Sequence, residues 1–307
     1  MTDALPLEVS GRDNERAVFE FGEQRLYLSD CMDWLRDAPR NAIDAVLTDP
    51  PYGLVEYTAQ EQRKLRTGRG GIWRIPPSFD GAVRNPLPRF TVLSDVDRTA
   101  LLSFFEKWGR ALLPVLKPGA HALVASNPLL APLVAIALER AGMERRGEVV
   151  RLVRTLRGGD KPKGAHAEFG MVSTMPRSCW EPWGLYRKPI DCKTVALNLR
   201  TWGTGGLRRL APETPFLDVI DSGITPDRER RLAPHPSVKP QAFLQKMVDA
   251  LLPLGSGTVL DPFAGCATTL VACHARGVRG VGIEIDPHFF RMASEAIPRL
   301  AALQTPG

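Results

Sequence analysis

Long hydrophobic runs are missing from this chain. None approaches the roughly 18 residues needed to span a bilayer, and no basic start followed by an apolar stretch marks a secretory signal. A soluble, cytoplasmic protein without membrane attachment is therefore expected. Cysteine is scarce too: Cys31, Cys179, Cys192, Cys266 and Cys273 are scattered, with no C-x-x-C pair. That pattern argues against a disulfide framework or a structural zinc site and for reduced thiols, so no metal is expected. The full G-x-G-x-x-G phosphate fingerprint is also lacking, which removes the usual signal for a dinucleotide.

What is present suits one elaborated α/β domain. The 307 residues are 44% hydrophobic and 24% charged, enough to bury a large core around a single sheet. Residues 1–17 are polar and of mixed charge, a loose lead-in. Arg25–Leu28 reads as a strand ending in Ser29-Asp30-Cys31, with a helix containing Met32, Trp34 and Leu35 after it. Asp30 is an N-cap on this reading. The apolar run Ile43-Asp44-Ala45-Val46-Leu47 reads as a buried strand and leads into Thr48-Asp49-Pro50-Pro51-Tyr52-Gly53.

Two successive prolines cannot continue a sheet ladder and fix φ, so the chain leaves the strand in a stiff direction. One carboxylate and one aromatic ring thereby come together at a strand's carboxyl end, the edge where open α/β sheets bind ligands. Asp49 and the Pro50 carbonyl can accept hydrogen bonds from an NH₂ group while Tyr52 stacks on the flat ring carrying it. The plainer alternative is a Pro-Pro turn with a chance aspartate before it.

A second constellation lies near the other end. Gly257-Thr258-Val259-Leu260 reads as a buried strand running into Asp261-Pro262-Phe263-Ala264-Gly265-Cys266-Ala267-Thr268-Thr269, then a helix over Leu270–Arg276 that stops before Gly277. Val278–Glu284 reads as a second strand closing on an acid nineteen positions after Gly265. In nucleotide-binding α/β folds an acid about 20 residues beyond the glycine turn bonds ribose hydroxyls. Between the two constellations, His235-Pro236-Ser237-Val238-Lys239-Pro240 precedes an amphipathic run, Gln241–Leu252, with Pro240 suited to the first helical position. Taken alone, this stretch is a helix start with a stray histidine and lysine.

Asp49-Pro50-Pro51-Tyr52 resembles the catalytic tetrapeptide of amino-group DNA methyltransferases, which move methyl from S-adenosylmethionine to adenine N6 or cytosine N4. The Asp261–Thr269 turn resembles that family's cofactor motif, Gly282-Ile283-Glu284-Ile285-Asp286 the motif after it, and His235–Pro240 the histidine-proline-x-x-lysine-proline motif flanking the cofactor. The order along the chain is the permuted β-type. The resemblance implies a Rossmann-like α/β fold, a mostly parallel twisted sheet with helices on both faces and an inserted DNA-recognition segment. It implies catalysis by Asp49, Pro50, Pro51 and Tyr52, and cofactor contacts from Asp30, Asp49, Ser237, Lys239, Asp261, Phe263, Ala264, Gly265 and Glu284. Asp30 would contact the adenine of the cofactor, and Ser237 and Lys239 would lie near its methionine carboxylate. One departure stands out: Ala267 occupies the place of a second glycine and Cys266 a place where serine is common. Alanine there is harmless if its φ is negative.

The remainder divides into scaffold and candidate DNA contacts. Leu101–Leu116 and Leu129–Ala141 read as helices, and His121–Ala125 and Glu148–Val153 as strands. A glycine- and proline-rich loop, 55–95, carries Arg63, Lys64, Arg66 and Arg69, either a solvated surface loop or a mobile DNA-contacting lid. Between Arg145 and Arg231 the chain holds 17 Lys and Arg against 10 Asp and Glu, a net of +7, while the whole chain is +6. Trp180, Trp183, Tyr186 and Trp202 are interleaved there. Excess base is often only a solvated face, and Trp183–Tyr186 suits a core strand as well as a nucleic-acid surface.

The domain reading is therefore 18–190 for the catalytic half, 191–234 for target recognition, with Arg200, Arg208, Arg209 and the Arg228–Arg231 cluster, and 235–307 for the cofactor half. Double-stranded DNA is the expected partner, with a cognate restriction endonuclease and a homodimer as further possibilities. Asp rather than Ser at position 49 favours adenine within the resembled family. The alternatives are an N4-cytosine enzyme, a methyltransferase for RNA or a protein amide, and a DNA-binding module whose cofactor turn is impaired.

Overall fold

A computed structural model describes residues 17–51, 95–153, 161–162, 164–235 and 237–303. The organising element is β3, Ile43–Thr48, buried along its whole length. Such an unbroken buried run is what a central strand of a parallel sheet requires. Asp44 inside it is matched by Lys117 Nζ at 2.5 Å and the Thr258 N–H at 2.8 Å. β4, Leu116–Ala125, and β8, Thr258–Asp261, flank β3, both parallel to it.

The sheet has nine strands among the described residues, in the order β1-β2-β9-β8-β3-β4-β6-β5-β7. β1 is Val18–Phe21, β2 Gln24–Leu28, β5 Glu144–Leu152, β6 Trp180–Arg187, β7 Val219–Asp221 and β9 Arg279–Glu284. β1 pairs antiparallel with β2, and β6 runs against both β4 and β5. The other pairings are parallel. The carboxyl ends of β2, β9, β8, β3, β4, β5 and β7 thus share one edge. This is the Rossmann-like, mostly parallel α/β sheet expected.

Alternation along β3 sends Val46 to one face and Ala45 and Leu47 to the other. On the first face pack α1, Cys31–Asp37, α2, Asp95–Val115, and α3, Ala131–Ala141, through Trp34, Trp108, Leu112 and Leu138. The second face is covered by α6, Gln241–Leu251, α7, Thr268–Ala275, and α8, Pro287–Ala301. Phe243, Leu244, Met247, Val248 and Leu251 of α6 are all buried, each worth about 1.5–3 kcal/mol before ordering costs. Two shorter helices, α4, Val195–Trp202, and α5, Asp227–Leu232, belong to the basic middle. No helix of the described residues is long and apolar enough to cross a membrane.

Three expectations needed correction. Pro240 caps α6 instead of opening it: its ψ of 134° is extended, and Glu229 of α5 accepts the Gln241 N–H at 2.9 Å. β4 and β5 begin earlier than their apolar runs, because pairing extends beyond the hydrophobic alternation: Leu116 pairs with Ile43 ahead of an irregularity that ends at His121, and Glu144, Arg145 and Gly147 pair with β6. Ala267 has φ +56°, left-handed, so the condition under which alanine is harmless there fails.

Candidate active site

Three of the four sequence motifs meet in one cleft at the carboxyl edge of the sheet. It is lined by Asp49 from the end of β3, His235, Ser237 and Lys239 from the segment before α6, and Asp261 to Thr269 from the turn between β8 and α7. Asp49 is half-buried, and its Oδ2 accepts from both Ser237 Oγ and Lys239 Nζ. These bonds cross 188 and 190 residues of sequence. Lys239 also donates to Ser237 Oγ at 3.0 Å and pairs with Glu181 Oε1 of β6 at 3.2 Å. Burial works against the Lys239 charge, but Asp49 and Glu181 outweigh it and hold its pKa above the ordinary lysine value.

Asp261 fastens β3 to β8. The Thr48 hydroxyl donates to its Oδ1 at 2.7 Å, and the Phe263 N–H approaches the same oxygen at 3.3 Å. Burial pushes the Asp261 carboxyl up to about 6 despite these donors. Glu284 ends β9 beside the turn, where Oε2 accepts the Gly265 N–H and Oε1 the Asp286 N–H, each at 2.8 Å. Burial raises its pKa above the usual carboxylate range against those two amides.

The turn itself is shaped for close approach. Gly265 has φ +53°, and a Cβ there would meet the His235 ring at 3.1 Å. His235 Nδ1 accepts the Ser237 N–H at 3.1 Å, and its ring meets Phe289 edge-on at 4.6 Å. Burial depresses its pKa to about 4, so the imidazole is neutral at pH 7. Phe263 forms an aromatic wall with Trp108, ring centres 5.6 Å apart. A carboxylate at the end of the second strand, a turn left bare at Gly265 and a helix start with no side-chain cap suit a ligand carrying a ribose and an amino-acid group.

Asp30 caps α1 by accepting the Met32 N–H at 2.6 Å. It stands two residues beyond the end of β2, which pairs with β9, one strand from the turn that follows β8. Pro50 is buried and Pro51 exposed. Tyr52 and Arg63, Lys64, Arg66 and Arg69 of the basic loop lie outside the described residues, as does Pro236.

The basic middle is divided between two edges. β6 runs antiparallel, so Arg187 and Lys188 leave the sheet at its amino edge, where the Gly119 N–H donates to Lys188 O at 3.0 Å. Asn198 of α4 donates to the Pro118 carbonyl at 2.9 Å, and the Arg208 N–H to Ala250 at the far end of α6. Arg209 shares an amino-edge cleft with Arg276. The structure therefore does not bring Arg200, Arg208 and Arg209 to the catalytic edge. The Arg228–Arg231 cluster does lie on the catalytic side, its α5 joined to the start of α6 through Glu229. Trp183 and Tyr186 are core residues of β6, and Trp202 donates its indole N–H to Asp191 at 2.8 Å.

Sequence reasoning missed Glu181 and Arg151. Arg151 of β5 is buried and reaches Glu181 Oε2 at 3.0 Å, Ser222 Oγ at 2.9 Å and the Gly223 carbonyl at 3.0 Å. Trp183 donates its indole N–H to the same Glu181 oxygen at 3.2 Å. Burial opposes ionisation of Glu181, yet Lys239 and Arg151 outweigh it and hold its carboxyl below the usual range. A charged residue on each of two strands was the only available signal.

Known proteins resemble this chain in sequence and in fold. A family model described as DNA methylase matches residues 177–295. The Type II methyltransferase M.HpaI of Haemophilus parainfluenzae is 38% identical over 279 residues, 90% of this chain and 74% of that one. Among solved structures, the M1.HpyAVI–SAM complex aligns with TM-score 0.53 at 16% identity over 88% of this chain and 98% of its own. PvuII DNA methyltransferase (cytosine-N4-specific) aligns with TM-score 0.56 at 12% identity over 91% of each. Those two likenesses speak to the fold, whereas identity to M.HpaI extends through nearly the whole sequence, and on that ground the chain belongs to the amino-group DNA methyltransferase family.

Proposed function

We propose that this DNA methyltransferase modifies the N6 amino group of adenine in duplex DNA. The observation that carries the reading is Asp49, held by Ser237 and Lys239 at the mouth of the cleft lined by the Asp261–Thr269 turn. The cofactor is S-adenosylmethionine, which supplies an electrophilic methyl on a sulfonium and departs as a neutral thioether. Glu284 would hold its ribose, Phe263, Ala264 and Gly265 would shape the wall beside it, and Asp30 would meet its adenine.

An exocyclic amine is a poor nucleophile because its lone pair is delocalised into the ring. The Asp49 carboxylate and the Pro50 carbonyl accept its two N–H bonds, favour a more tetrahedral nitrogen, and leave the lone pair to form the new N–C bond. The proton released from nitrogen passes to the Asp49 carboxylate and on to water. Orientation and preorganised charge supply most of the effect. The amino group is buried in duplex DNA, so the base must be flipped into the cleft, with Tyr52 stacking on it. Aspartate at position 49 supports adenine over cytosine through the family resemblance.

Sequencing that detects modified bases, on DNA from a methylation-free host expressing the protein, tests this directly. N6-methyladenine at a short defined sequence is expected. N4-methylcytosine would overturn the choice of base, and an unmodified genome would overturn the activity as stated.

A further inference from the structure

Four alternating charges run inward from the cleft: Asp49, Lys239, Glu181 and Arg151. The Lys239 ammonium has three N–H donors, and three oxygens surround it: Asp49 Oδ2, Ser237 Oγ and Glu181 Oε1. Lys239 and Arg151 are both buried, so neither cation can find water if its acid is removed. Glu181 lies between them, taking Lys239 on one oxygen and Arg151 with Trp183 on the other. Arg151 is in turn anchored by Ser222 and Gly223, just beyond β7.

We propose that Glu181 is a positioning residue for methyl transfer. Shared between two acids from different strands, the ammonium occupies a fixed place and orients the Asp49 carboxylate towards the target amine. Pulled from one side only, it would follow Asp49 and tie up the oxygen more tightly. Glu181 therefore tunes how strongly Asp49 can accept the amine N–H. Arg151 holds Glu181 to the sheet and carries the same chain of contacts out to the 222–223 bend. This inference rests on the assignment of Asp49 to the target amine.

The test compares E181Q, E181D and D49N on unmethylated genomic DNA, with cofactor affinity by calorimetry and melting temperature measured on each. E181Q is expected to lower kcat about tenfold or more, with cofactor Kd weakened by less than about threefold, and E181D, which keeps the charge, is expected to recover part of the loss. Should E181Q fail to fold, E181D decides: kcat falling with Kd held supports the role, and kcat falling together with cofactor affinity overturns it. Turnover within about twofold of the parent in E181Q, or an equal loss of kcat and affinity, also overturns it. Full turnover in D49N would refute the assignment of Asp49, whereas an inactive D49N beside an unaffected E181Q refutes only the role of Glu181.

Discussion

Glu284 reaches back across the cofactor turn and accepts the Gly265 N–H at 2.8 Å while its other oxygen takes the Asp286 N–H. One side chain thus fixes the turn, the end of β9 and the start of α8. Glu284→Ala removes the acceptor for two backbone amides as well as the expected ribose contact. The stranded amides weaken the turn in the free and bound protein alike, whereas each lost ribose hydrogen bond to the carboxylate costs about 1.5–3 kcal/mol, so S-adenosylmethionine affinity should fall at least about tenfold. Calorimetry measures it, and an unchanged Kd would count against Glu284 as a cofactor ligand.

Asp49→Ala should abolish transfer while cofactor affinity changes far less, because Asp49 is assigned to the target amine. Single-turnover methyl transfer together with cofactor titration separates the two effects. Retained transfer would remove Asp49 from the reaction.

Ala267 sits at φ +56° before α7. A non-glycine residue in that region carries roughly 1–2 kcal/mol of strain, and glycine's larger unfolded-state entropy returns part of it. Ala267→Gly should therefore stabilise the protein by about 0.5–1 kcal/mol in denaturant unfolding. A loss of stability would mean that the alanine methyl contributes more packing than it costs in strain.

Asp261 provides a pH signature. Its folded carboxyl is pushed up to about 6, above the ordinary 3.8, so the folded state binds more proton than the unfolded chain between these values. Stability from this group is therefore full below about pH 4 and declines as pH rises towards 6. Asp261→Asn cannot ionise, so its stability relative to the parent should improve from pH 4 to pH 7 in denaturant titrations. A constant difference across that range would show that Asp261 does not titrate as described.

The division of the basic middle predicts which cations meet DNA. Neutralising exposed Arg228 and Arg231, on the catalytic side, should weaken duplex binding and flatten its salt dependence. Neutralising Arg208 and Arg209, at the amino edge, should leave both nearly unchanged. Equal effects from the two pairs would mean that DNA reaches both edges.

Those arginines also mark where the sequence stops being legible. The unbroken run Ile43–Leu47, the helical spacing in Gln241–Leu252 and the acid after the second strand were readable because each is a local pattern imposed by burial. Strand direction is not local. Whether the chain leaves β6 at the catalytic or the opposite edge depends on its antiparallel pairing with β4 and β5, and that decides the fate of Arg200 through Arg209. The same holds for Glu181: it joins Lys239 only once β6 and the segment before α6 share an edge. The left-handed backbone at Ala267 was equally hidden, since alanine itself shows no preference for it.

The Thr48–Asp261 bond joins residues 213 positions apart. During synthesis, β3 leaves the ribosome long before its neighbour β8 exists. Its edge must meanwhile rely on β4, and the cleft stays unbuilt until Glu284 has emerged. Because the two halves of the cleft come from stretches so far apart in sequence, a break in the chain between β7 and α5 would leave Asp49 on one piece and Ser237, Lys239 and the Asp261–Thr269 turn on the other, so that the cleft forms only where the two pieces meet.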